Sequence, residues 1–306
     1  MIFQFMISML LIAGAFIVYQ QMSFILNKDL GYEKEQAVMI QGVGPMGEGV
    51  KAFKEALLSL PDVSYATISN SLPVDGTHRN GNTFHISGRE DVDRGVPGQF
   101  WRADEDYLVT VGLHLIEGRM FSNHMASDSN AIVVNQAMVK QLGLEDPINK
   151  KIRNWRDWRI VGVVEDFNYD NLKQEIRPLL LARTTTADMI TVRLSTQNMS
   201  ESLAKIEAVW NEFNPSQTIR MDFLDQRFEV MYEDIQRTRT IFMVFAIFGL
   251  IVACLGLFGL SVYTVALRNK EMTIRKVLGA SVQSILRLLT IDYLKLVLIS
   301  LVIAIP

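Results

Sequence analysis

The residues with the clearest claim on chemistry in this chain of 306 residues are four histidines, one cysteine and a glycine-rich run. His78, His85, His114 and His124 have the ring nitrogens that bind transition metals. They lack both a His-x-x-x-His spacing and a cysteine partner. His78 and His85 share a polar stretch with Asp91 and Asp93, which leaves room for a weak metal site at most. The run at 42–51, Gly-Val-Gly-Pro-Met-Gly-Glu-Gly-Val-Lys, follows an expected strand and precedes an expected helix, as a phosphate loop would. It has no contiguous Gly-Lys-Ser/Thr to place the lysine and the magnesium ligand, so a flexible connection is its expected role. No Gly-x-Ser-x-Gly elbow occurs, and the carboxylates are scattered rather than paired. No catalytic residue, metal ligand or cofactor site is nominated, and the chain is expected not to be an enzyme.

The chemistry that remains is that of charge beside a membrane. Residues 241–267 carry no charge, which exceeds the roughly 20 residues that a helix needs to cross the hydrocarbon core. Arg268, Lys270, Arg275, Lys276 and Arg287 follow at once, against one acid, Glu271. Short loops rich in Lys and Arg stay in the cytoplasm, so this end is expected inside and the bulk of the chain outside. Glu271 and Arg275 stand four apart, as an ion pair on one helix face would. Ile274, Val277 and Leu278 form an apolar stripe, Gly279 is a helix stop and Ser281 a cap for the next helix. The pattern predicts a short amphipathic helix along the membrane surface, either bound to lipid headgroups or docked on a partner; composition does not choose. Within the apolar run Ala246, Gly249, Ala253 and Gly256 recur at intervals that align small residues on one face, where another helix can approach closely. Cys254 lies in the same run and reads as a packing residue. A large outer domain without disulfides fits a bacterial envelope.

These residues imply the elements that must carry them. Residues 1–31 read as a first membrane helix continued as a stalk. It is a retained span rather than a signal peptide, because no positive charge precedes Lys28. Residues 32–225 read as a folded domain of α+β class, with mixed sheets, packed helices and two lobes. Strands are expected near 36–43, 63–69, 99–102, 131–134, 159–164, 189–194 and 218–223, and helices near 50–60, 135–142 and 201–213. The stretch 70–93, rich in Gly, Asn, Asp and Ser, is expected to loop out over the surface. Residues 226–268 read as one helix, a second stalk and a second span. Residues 269–290 hold the amphipathic helix and its turn. Residues 291–306 begin a third span and stop within it, so the chain is expected to be a fragment, or the C-terminal half, of a larger membrane protein. The net charge of −3 gives no reason to expect a nucleic-acid partner.

The string Arg268-Asn-Lys-Glu-Met-Thr-Ile-Arg-Lys-Val-Leu-Gly-Ala280 strongly resembles the hallmark segment of FtsX-like/MacB-type ABC transporter permeases. The segments Phe3 to Tyr32, Leu144 to Lys150 and Gly162 to Asn168 are similar to other parts of the same family. The resemblance implies a multi-pass permease of the bacterial inner membrane with a large periplasmic domain. It would work with a separate cytoplasmic ABC ATPase, whose cycle moves the outer domain by mechanotransmission. Lys270, Glu271, Ile274, Arg275, Lys276 and Val277 would be the coupling helix on which the ATPase docks. Other implied partners are a second permease half or a homodimer, membrane lipid and a periplasmic adaptor. The substrate would be a peptide, an antibiotic or a lipid-like molecule. Two alternatives stay open: a regulatory FtsX-like protein that activates an envelope hydrolase, and a membrane-anchored ligand sensor.

Overall fold

The computed structural model describes residues 2–74, 77–170, 172, 175–185, 188–196 and 198–279, and beyond these only 281, 283, 291, 294, 298, 299 and 302. In chain order the elements are α1 (Ile2–Asn27), β1 (Ala37–Gln41), α2 (Gly49–Leu58), β2 (Val63–Ser69), β3 (Gly81–Ile86), β4 (Val96–Ala103), α3 (Tyr107–Val111), β5 (Leu115–Gly118) and β6 (Ala131–Asn135). There follow α4 (Gln136–Leu142), β7 (Lys151–Arg153), β8 (Asp157–Val164), β9 (Leu179–Arg183), β10 (Met189–Leu194), α5 (Met199–Phe213), β11 (Arg220–Phe223), α6 (Leu224–Val230) and α7 (Glu233–Val277). The chain forms two units. One is Asp29–Tyr232; the other joins Met1–Lys28 to Glu233–Pro306.

The unit Asp29–Tyr232 is α+β, with a mixed sheet, and among the described residues has two hydrophobic cores. In the first, four strands run in the order β11-β1-β10-β2, each antiparallel to its neighbour. β1-α2-β2 crosses over β10, and β10-α5-β11 crosses over β1, which is the split β-α-β topology of ferredoxin-like folds. The helices cover one face because their apolar residues recur at helical spacing. Phe53 of α2 meets Trp210 edge to face at 5.7 Å and Phe213 at 5.4 Å. Fully burying a ring such as Phe53 contributes about 1.5–3 kcal/mol.

The chain between β2 and β10 builds the second lobe. Its strands close on themselves: β4 pairs with β3, β3 with β7, β7 with β8, β8 with β6, β6 with β9, and β9 again with β4. Closure removes free edges, and the interior is filled by Phe84, Phe100, Ile132, Ile160, Leu180 and their neighbours. α4 lies against this core through Met138. The Asn135 side chain caps α4 by accepting from the Met138 amide at 3.1 Å, and Gly143 ends it at φ 64°.

The other unit contains two helices packed together, α1 and α7. A Cβ on Gly14 would sit 3.7 Å from the Phe242 ring, and Arg239 lies over the Tyr19 ring at 4.7 Å. Among the described residues one helical segment, Gln236–Leu267, is long and apolar enough to cross a membrane. The apolar part of α1, Met9–Ile25, is shorter than the roughly 20 residues of a full crossing.

Four expectations need correction. The stretch 70–93 does not simply loop out: it contains β3, and Ser71, Leu72 and Val74 are buried. The helix expected from 226 is interrupted at Met231–Tyr232. There the Tyr232 ring packs on Phe228 and its hydroxyl accepts from the Leu172 amide at 3.1 Å, so tertiary packing overrides a continuous helical pattern. α7 does not stop at Arg268 but continues to Val277, because no Gly or Pro intervenes before Gly279. The amphipathic segment is thus the end of α7 and not a separate helix. α1 ends at Asn27, short of residue 31, to which the first helix and its stalk were read. The third span at 291–306 and the turn that leads to it fall largely outside the described residues.

Candidate functional site

The end of α7 carries the residues expected to dock a partner. Lys270, Ile274, Arg275 and Val277 are exposed, as is Leu278. Ile274, Val277 and Leu278 make an apolar stripe without cover among the described residues. The side chains of Glu271 and Lys276 lie outside the described residues, and with them the expected Glu271–Arg275 pair. Leu278 donates its amide to the Ile274 carbonyl at 3.0 Å, and Gly279 leaves the helix at φ 88°, where a side chain would be strained. Two exposed cations, Lys270 and Arg275, beside an apolar stripe can take an acidic, partly apolar groove or an anionic lipid surface.

The small-residue face is the covered face of the same helix. Ala246 and Ala253 are buried, and Gly249 and Gly256 are half-buried. Among the described residues α1 is the helix packed on α7. The expectation was that another helix approaches this face; α1 of the same chain packs on α7. Cys254 is exposed.

The histidines do not converge. His78, His114 and His124 are exposed on separate loops, and His85 is half-buried on β3. Among the described residues no cluster of three or more His, Cys, Asp or Glu is arranged to hold a metal. The glycine run is a held turn, not a loose connection. The amides of Gly42 and Val43 donate to the Asp188 carbonyl at 3.0 and 3.3 Å, and a Cβ on Gly44 would meet the Asp188 carboxylate at 2.7 Å.

Two polar centres that sequence reading missed hold the outer domain together. Arg79 donates to the carbonyls of Leu72, Val74 and Tyr169 at 2.8–3.0 Å and to the Thr77 hydroxyl at 2.7 Å. Its guanidinium lies 5.2 Å from the Trp101 ring and pairs with Asp170 at 3.6 Å. The Tyr32 and Tyr107 hydroxyls donate to the carbonyls of Pro73 and Ser71 at 3.0 and 2.9 Å, and burial pushes both phenols well above their ordinary pKa. The second centre is Lys54. Its ammonium donates to Asp104 at 2.6 Å and Asp106 at 2.5 Å. Asp104 also accepts from the Thr67 hydroxyl at 2.5 Å and the Ile68 amide at 2.9 Å. Burial works against the Lys54 charge, but the two carboxylates outweigh it and hold its pKa above the usual lysine value. A cavity of about 310 Å³ opens over this cluster, walled by Lys51 and Leu58 on one side and Asn123, His124 and Thr184 on the other.

Taken together, the chain is of the class in which an α+β domain is inserted between two helices, one of them apolar over a membrane-spanning length. It belongs to the MacB-like periplasmic core domain family, whose pattern matches residues 5–209. It is 27% identical over 211 residues to the macrolide export ATP-binding/permease protein MacB of Aggregatibacter actinomycetemcomitans. That match covers 64% of this chain and 32% of the relative, so the chain spans about a third of the length of the relative it matches. Among solved structures, the periplasmic region of MacB from Actinobacillus actinomycetemcomitans is 14% identical, with a TM-score of 0.47, covering 66% of this chain and 94% of that one. The extracellular domain of the noncanonic ABC-type transporter YknZ from Gram-positive bacteria is 12% identical, with a TM-score of 0.43, covering 60% and 99%. Family membership makes this an inner-membrane protein with a periplasmic domain.

Proposed function

We propose that the chain is a permease subunit of an ABC transporter that works by mechanotransmission. A cytoplasmic ATPase would bind the end of α7, and its cycle would move the periplasmic domain through α1 and α7, driving export of a peptide, antibiotic or lipid-like substrate. In this reading hydrolysis belongs to the ATPase, and the chain itself is not an enzyme. A second copy or a paired permease half would complete the membrane part, and a periplasmic adaptor would meet the outer domain.

The observation that carries the reading is α7. It leaves the periplasmic-type domain at Glu233 and runs 45 residues, about 67 Å at 1.5 Å per residue, without a Pro. It passes through Gln236–Leu267 and finishes in the exposed residues Lys270, Ile274, Arg275 and Val277. A helix longer than the bilayer is thick can convey displacement from one side to the other, because its backbone hydrogen bonds resist stretching. The relative's name, macrolide export ATP-binding/permease protein, points the same way.

The test is co-purification of the full chain with its ATPase from the native membrane. Arg275→Glu reverses the charge of an exposed site, and Glu271→Arg that of its neighbour one turn earlier. Each is expected to abolish association and substrate-stimulated ATP hydrolysis while leaving the protein in the membrane. Wild-type association and coupling in both variants would remove the end of α7 as the docking point.

A further inference from the structure

The two lobes of the outer domain share very little sheet. β2 and β4 meet at a single register pair, Ser69 opposite Ala103. Two backbone bonds flank it, Asn70 N to Arg102 O at 3.1 Å and Asp104 N to Ile68 O at 3.0 Å. A ladder this short is weak by itself. At its end stands Asp104, 2% exposed. Its carboxylate gathers the Thr67 hydroxyl and Ile68 amide from β2 and the ammonium of Lys54 from α2, all parts of the ferredoxin-like lobe. Asp104 itself continues β4 of the barrel lobe. Lys54 is 7% exposed, and its second acceptor, Asp106, opens the helix α3 that packs on β2 and β10.

We infer that Asp104 is a clamp that joins the two lobes into one body, and that without it they hinge about the β2–β4 seam. A buried ion pair adds little net stability over apolar packing of the same volume, but it fixes one arrangement, because any other leaves a charge without a partner. Here the pair lies on the seam and spans it, where a fixed arrangement of the lobes is decided. The helix α3 remains as a second tie: it packs on β2 and β10, and Arg193 of β10 donates to its Thr110 carbonyl at 2.8 Å. Loss of the clamp therefore frees a rotation and not a separation. The inference rests on the domain's own geometry and is independent of the transport reading.

The experiment is pulsed electron–electron distance measurement on the full chain in lipid nanodiscs. Cys254→Ser leaves spin labels only at introduced cysteines. Lys140→Cys on α4 and Glu207→Cys on α5, both exposed, report across the lobes. Ser64→Cys with Glu207→Cys, and Glu117→Cys with Lys140→Cys, report within each lobe. The expected result is one narrow interlobe distance in the parent and a broad, multi-peaked one in Asp104→Asn, with both intralobe distances unchanged. Lys54→Met, which removes the charge from the other side, is expected to reproduce it if Asp104→Asn does not fold. An interlobe distribution that is already broad in the parent, or stays narrow in both variants, overturns the clamp. Broadening of the intralobe distances in both variants overturns it too, since the network would then hold the lobes' own folds.

Discussion

Asp128 shows how much a single side chain can hold. It is fully buried, and it accepts from Arg119 at 2.6 and 2.8 Å, from Arg159 at 3.4 Å and from the Ser122 amide at 3.0 Å. The Arg119 guanidinium in particular holds the carboxyl below its ordinary range. A carboxylate whose folded pKa is depressed contributes stability that is present above its unfolded value, about 3.9, and is lost as pH falls through the folded value. Asp128→Asn keeps the shape and removes the charge. We expect it to cost about 1.5–3 kcal/mol at neutral pH, the range for hydrogen bonds to charged groups. The lower part of that range is favoured because the Arg119 side chain is 41% exposed and water screens it. Urea titrations at pH 7 and pH 3 check this: the gap between parent and variant should shrink at the lower pH. A gap that is equal at both values would mean that the charge is not what Asp128 supplies. Such partners were not legible in the sequence, since Arg119 and Arg159 stand 9 and 31 residues from Asp128. Lys54 and Asp104 were hidden for the same reason. A lone lysine on an amphipathic helix looks like any solvated lysine, and its partner lies 50 residues away.

Elements were legible where a local pattern repeats. The seven residues of β2 and the six of β10 occupy the ranges read from their β-branched, apolar composition. The helix read at 135–142 is α4, with Asn135 as its N-cap and Gly143 at its end. β9 went unread because Leu179, Leu180 and Leu181 are all buried, and a strand covered on both faces shows no alternation. β3 went unread because glycine and asparagine surround it, and of its side chains only Phe84 is fully buried. The small-residue face of α7 was legible as spacing, but which helix covers it was not. That cover gives a test at this scale. Ala246→Leu and Ala253→Leu each add bulk to a buried position where α1 packs. Overpacking of this kind costs about 1–3 kcal/mol. With Gly14→Cys and Phe242→Cys in a Cys254→Ser background, a short thiol cross-linker should join α1 to α7 efficiently. Either leucine should reduce the yield sharply. Unchanged yield would mean that α1 is not what these alanines accommodate.

At the scale of the whole molecule, one chain carries two chemistries that need different solvents. The unit Asp29–Tyr232 buries its apolar residues in its own cores, as a water-exposed domain must. The helix that follows does the reverse. Ile241, Phe245, Phe248, Leu255, Phe258 and Tyr263 expose 55–70% of their surface. Contiguous exposure on that scale is unfavourable in water and neutral in hydrocarbon, the surroundings that the proposed membrane span would give it. Cys254 lies within this stretch and is exposed, so a surrounding bilayer would shield it from reagents that stay in water. Val92, 85% exposed between β3 and β4, is its counterpart on the outer domain. In intact cells or right-side-out vesicles, Val92→Cys in a Cys254→Ser background should react quickly with a charged, membrane-impermeant maleimide. Cys254 in the parent should not react until the membrane is dissolved in denaturing detergent. The contrast follows from access: a charged maleimide does not enter hydrocarbon, whereas it reaches a thiol in water freely. Rapid labelling of Cys254 in sealed vesicles would place α7 in water, and the length and exposure of that helix would then require a covering protein partner in place of lipid.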